Sequence, residues 1–146
     1  MIFYGAGHEF SLLQDALTAG GMAWWLMELP TKSIYFSPNK IVMLGFDKNE
    51  ADKFVKYTDF TERLHPDDYE NTMQAMRDHM NGTKPIYETS YRIRRKDNTY
   101  TSFFDRGKII GRNKNGDIGI AGIVMEISDA TKKIVPTSTF DSLMPR

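Results

Sequence analysis

Apolar residues recur at helical spacing from His8 to Ala19, where Phe10, Leu13, Ala16 and Leu17 share one side and Gly20-Gly21 ends the run. The spacing predicts an amphipathic helix of about three turns. From Met22 the period changes to two. Trp25, Met27 and Leu29 alternate with Trp24, Leu26 and Glu28, as in a half-buried strand, and Pro30-Thr31-Lys32 then turns the chain. Ile34-Tyr35-Phe36 pairs back as a second strand. Ser37-Pro38 sets a hydroxyl before a helix-starting proline, so a short helix is expected from Asn39 to Leu44, ended by Gly45. A polar stretch from Asp47 to Phe60, anchored by Phe54, Val55, Tyr57 and Phe60, predicts short helical turns that would wall a pocket. His65-Pro66-Asp67-Asp68 reads as a helix start, with proline at the first position and two carboxylates facing the positive helix end. That helix runs on through Tyr69, Met73, Met76 and Met80 to Asn81-Gly82.

After Pro85 the pattern is strands: Ile86 to Arg94, Tyr100 to Ile110 and Ile118 to Ile127. The turns between them, Lys96-Asp97-Asn98 and Asn113 to Asp117, carry Asp, Asn and Gly, which tolerate left-handed backbone. Two strands, a set of helices and three more strands give an α+β order. Ser128-Asp129 can cap a further helix over Ala130 to Val135, which Pro136 interrupts, and Thr137 to Arg146 has the character of a linker. The organisation expected is therefore an N-terminal helical cap over residues 1–20, one domain over 21–131 and a C-terminal linker over 132–146.

The 146 residues suffice for one core. Lys plus Arg number 19 and so do Asp plus Glu, which leaves no excess charge to draw the chain to nucleic acid or an anionic membrane. Cysteine is absent, which excludes disulfides, thiolate metal sites, Cys nucleophiles and flavin photochemistry through a Cys adduct. No run of ~18 apolar residues occurs, and the opening lacks a signal-peptide pattern, so this segment has a cytoplasmic character with no membrane partner. Nine Met and nine Phe give the apolar set an adaptable quality that suits a core or a moulded pocket.

Several motifs stand in order along this pattern. Trp25-Leu26-Met27-Glu28-Leu29 precedes Ser37-Pro38 and Met43-Leu44-Gly45-Phe46; then come His65-Pro66-Asp67-Asp68, Tyr91-Arg92-Ile93-Arg94-Arg95-Lys96-Asp97, Asp105-Arg106-Gly107, Gly122 and Glu126-Ile127-Ser128. Together they resemble a PAS domain, the PAS fold-3 or PAS-PAC sensory type of bacterial or archaeal signalling proteins, over roughly residues 21 to 131. Asn98 replaces the usual Gly of the hairpin, Ser102 a common Trp, and Glu126-Ile127-Ser128 the usual Asp-Ile-Thr.

The resemblance implies a five-stranded antiparallel sheet with helices on one face, accompanied here by the N-terminal amphipathic helix. It also implies a sensory and signal-relay module, not an enzyme, within a multidomain protein of histidine kinase or diguanylate cyclase type. The partners expected are a second copy in a homodimer, a covalently linked effector domain and a small-molecule ligand. A ligand-free protein–protein interaction adaptor is the alternative. Pocket positions suggested by the pattern are Trp25, Met27, Met43, Phe60, Met73, Met76, Tyr91 and Ile93. Signal output is expected at Glu126, Ile127, Ser128 and Asp129, and dimerisation through Phe10, Leu13 and Leu17. No catalytic or metal site is expected. The cofactor is left unnamed: Cys-adduct flavin is excluded, and haem is disfavoured because a dipole-favoured position late in its helix accounts for His79. Helix initiation likewise accounts for His65, and the Arg92, Arg94, Arg95 and Lys96 cluster reads as a solvated face.

Overall fold

The structure, a computed structural model, describes the backbone of residues 3–127 and the side chains of residues 8–127. Its elements run α1 (Phe3–Ala19), β1 (Met22–Leu29), β2 (Ile34–Phe36), α2 (Asn39–Val42), a 3₁₀ helix (Lys48–Lys53), α3 (Thr58–Thr61), α4 (Pro66–Met80), β3 (Tyr87–Arg94), β4 (Tyr100–Arg112) and β5 (Ile118–Ile127). Five strands form one antiparallel sheet in the order β2-β1-β5-β4-β3. The period-two pattern explains its two faces. Ala23, Trp25 and Met27 of β1 turn inward beside Val124 and Ile120 of β5, and Phe103 of β4 continues the same buried face.

Against that inner face pack Ile41 and Leu44 near α2, Phe54, Phe60 of α3 and one side of α4. The start of α4 is fixed by the acidic turn. Asp68 accepts from the backbone N–H of Arg92 and, in a two-pronged contact, from its guanidinium at 2.8 and 2.9 Å, which holds the carboxyl down at about 2. His65 caps this helix: its Nδ1 accepts from the Asp67 N–H at 3.1 Å. At the other end, His79 is buried. The Ile109 N–H can only donate, so Nε2 accepts from it at 2.9 Å and Nδ1–H is left to donate to the Lys84 carbonyl at 3.0 Å. More than dipole favour therefore holds His79, since both ring nitrogens join α4 to its surroundings.

Some local expectations are corrected. The first helix begins at Phe3, earlier than the apolar stripe suggested. Ser37 does not cap α2: its hydroxyl accepts from the Trp24 N–H at 3.0 Å and donates to Asn39 Oδ1 at 2.7 Å, tying the helix to β1. The basic cluster is only partly a solvated face, because Arg92 pairs with Asp68, Arg95 with Glu126 and Lys96 with Glu50. Ser128, Asp129 and the linker lie outside the described residues.

Candidate functional site: a cavity around Asp105 and Lys40

A cavity of about 240 Å³ lies between the inner face of the sheet and α3 and α4. Trp25 and Met27 reach it from β1, Phe60 from α3, Met73 and Met76 from α4, and Tyr91 and Ile93 from β3, so these pattern-derived wall positions meet in one place. Met43 is the exception. It packs on the core beside the cavity, because α2 ends at Val42 and turns its last residues toward Gly45. The volume lies just below the range of about 300–1,000 Å³ usual for ligand pockets, so the space fits only a small occupant.

The polar centre of this apolar space is Asp105, which was not among the expected wall residues. Inward alternation along β4 places it in line with Phe103 and Gly107, with only 6% of its surface exposed. Trp25 Nε1 donates to Oδ1 at 2.6 Å, Tyr91 OH donates to Oδ2 at 2.9 Å, and the Arg106 backbone N–H adds a third donor. Trp25 reaches across from β1 because glycines clear its path. Gly122 sits opposite it on β5 and Gly107 beyond on β4; a Cβ would come within 2.6 Å of the indole at the first and 2.7 Å at the second. Burial pushes the Asp105 carboxyl up, opposed by the charge of Lys40 and by the hydrogen bonds from Tyr91 and Trp25.

Lys40 enters from α2 and is also buried, at 4% exposure. Its ammonium lies 3.8 Å from the Phe60 ring centroid and forms no hydrogen bond or ion pair among the described residues. Burial lowers it to about 8, with the Asp105 charge pulling the other way. Tyr87 completes the group. Its ring meets Trp25 edge-on at 6.0 Å, its hydroxyl has no hydrogen bond among the described residues, and burial followed by the Asp105 charge pushes it well up. His79 is not part of the lining, and no cluster of three or more His, Cys, Asp or Glu suited to a metal occurs among the described residues.

A second polar group sits where β5 ends. Glu126 Oε2 accepts from Arg95 Nη2 and from the Thr101 hydroxyl, each at 2.6 Å, and Arg95 Nη1 donates to the Met43 carbonyl at 2.8 Å. One guanidinium thus bridges the segment after α2 and the last strand.

The family model described as PAS fold matches residues 33–124. The chain belongs to the PAS fold family. No curated protein matches it. Among solved structures, this PAS domain is similar to a sensory box histidine kinase/response regulator from Burkholderia thailandensis, at 23% identity and TM-score 0.68 over 90% of this chain and 91% of that one. It is also similar to the N-terminal domain of a diguanylate cyclase with PAS/PAC sensor from Marinobacter aquaeolei, at 22% identity and TM-score 0.61 over 73% and 95%. A third is the PAS-B domain of Drosophila melanogaster Cycle with bound ethylene glycol, at 17% identity and TM-score 0.55 over 71% and 98%. The sheet and helices are thus those of a PAS sensory domain. No helix among the described residues is long and apolar enough to cross a membrane.

Proposed function

We propose that this PAS domain senses a small molecule in the cavity and passes the change to a linked effector, of histidine kinase or diguanylate cyclase type, through the end of β5. The observation that carries the reading is the Arg95 bridge. Lys40 on α2 faces the cavity; a few residues on, the Met43 carbonyl holds Arg95, and Arg95 holds Glu126 on the strand that leaves the domain. An occupant that engages Lys40 biases the position of α2, and the bridge carries that bias to Glu126 and Ile127. Glu126 works through its neighbours here and touches no ligand itself. The similar Cycle PAS-B domain has bound ethylene glycol, which is in keeping with a small guest for this fold.

Native mass spectrometry beside a denatured control tests the reading. The native chain is expected to carry a small-molecule mass excess that denaturation removes and that a cavity-filling Met76→Trp variant lacks. A bare chain whose spectrum the substitution leaves unchanged favours the ligand-free adaptor.

A further inference from the structure

The cavity is unevenly supplied with hydrogen-bonding groups. Its acceptor is largely committed, since the Asp105 carboxylate takes hydrogen bonds from Trp25, Tyr91 and the Arg106 N–H. Its threonines are also turned away as donors: Thr61 and Thr72 give their protons to the Thr58 and Asp68 carbonyls of their own helices. Two donors remain. The Lys40 ammonium has only the face of Phe60 beside it, and the Tyr87 hydroxyl has no hydrogen bond among the described residues. Both are more than nine-tenths buried, both line the cavity, and both lie close enough to Asp105 to feel its charge.

An ammonium carries three N–H donors, and a ring face satisfies at most part of that capacity. A buried donor without an acceptor is costly, and the cost disappears when a guest supplies the acceptor. An aliphatic or aromatic body would meanwhile replace empty space against Met73, Met76 and Ile93. A cationic or purely donor-headed guest has the opposite fate, because it meets like charge at Lys40 and an acceptor already largely committed.

We infer that the occupant of this cavity is a small amphipathic molecule with an apolar body and an oxygen-acceptor head, a carboxylate or a carbonyl, held by Lys40 and Tyr87. The inference rests on the reading of the cavity as the sensory site and adds the chemical class of what enters it. Lys40 is then the residue that sets head-group specificity, and Asp105 is its counter-charge and the anchor of the wall. The location of Lys40 on α2 makes the same contact the one that starts the relay.

The test uses four probes of similar body, phenylacetate, phenylacetamide, phenethylamine and toluene, titrated into the 146-residue chain and followed by amide NMR shifts of cavity residues. The parallel variants are Lys40→Met and Tyr87→Phe, which keep the apolar shape of each side chain, with circular dichroism to confirm the fold. Phenylacetate, phenylacetamide or both are expected to bind about tenfold or more tighter than phenethylamine, the size of effect one charge-assisted hydrogen bond gives. Lys40→Met is expected to abolish that preference while toluene still binds, and Tyr87→Phe to reduce it. Whichever of the two acceptor probes binds tighter tells whether the head is anionic or neutral. Equal or tighter binding of phenethylamine, or an unaltered preference in Lys40→Met, overturns the acceptor assignment while toluene binding keeps the cavity reading alive. Failure of all four probes, toluene included, overturns the cavity reading and this inference with it.

Discussion

Lys40 and Asp105 are buried in the same space, do not form an ion pair, and pull each other toward the charged state against the effect of burial. The consequence is a pH signature. Unfolded, the Lys40 amine keeps its proton to its ordinary value of 10.5, whereas in the fold it gives it up near 8. Between those values the unfolded chain binds more protons, so stability rises with pH from about 8, by roughly 3 kcal/mol in all. The rise ends near 10, where Tyr87 and Tyr91, held protonated in the fold, ionise first in the unfolded chain and stability falls. Urea denaturation at stepped pH is expected to show this rise in the native chain and no rise above pH 8 in Lys40→Met, where only the fall near 10 remains. A rise that persists in the variant means another group produces it.

At the scale of elements, the period-two and helical patterns were enough to place every strand and the long α4 helix, because each of these buries one face against the same core. The cavity lining, Met43 apart, follows the same pattern, since inward-facing positions of β1 and β3 meet Phe60 of α3 and Met73 and Met76 of α4. Asp105 and Lys40 were not expected there. A charged residue in a strand ordinarily marks the solvent side, yet the register of Phe103 with Asp105 already put both on one face. Lys40 sits in a helix of one turn, too short for a period to tell inside from outside. The early start of α1 was hidden by Gly5 and Gly7, which argue against helix locally. Gly122 is a spacer as well as a motif letter, because a Cβ there would lie 2.2 Å from the Arg106 carbonyl oxygen and 2.6 Å from the Trp25 indole. Gly122→Ala is expected to lose about 1–3 kcal/mol or more and to shift the Trp25 indole N–H resonance as its bond to Asp105 opens. Wild-type stability with an unmoved indole signal would contradict the spacing role.

Over the whole molecule, the helices α2 to α4 cover the inner face, and α1 lies on the other side. It meets β1 through Phe10 against Trp24, with ring centroids 6.3 Å apart, and through Trp24 Nε1 donating to Gln14 at 3.1 Å. That contact leaves Phe10 57%, Leu12 54% and Leu13 61% exposed, while Leu17 is half-buried. Such a stripe needs a cover, and a second copy of the chain is the one proposed. Leu13→Glu changes a side chain that the fold does not bury, so light scattering is expected to show a dimer become a folded monomer with an unchanged circular dichroism spectrum. A variant that stays dimeric places the interface elsewhere.

The relay from the cavity to the strand end is the central claim, and a single NMR titration tests it most directly. With phenylacetamide added to the native chain, the Tyr91 and Ile93 amides, the Arg95 Nε–H and the Glu126 and Ile127 amides are predicted to shift together, saturating with one shared Kd. Saturating shifts at Tyr91 and Ile93 with Arg95, Glu126 and Ile127 unmoved would contradict it.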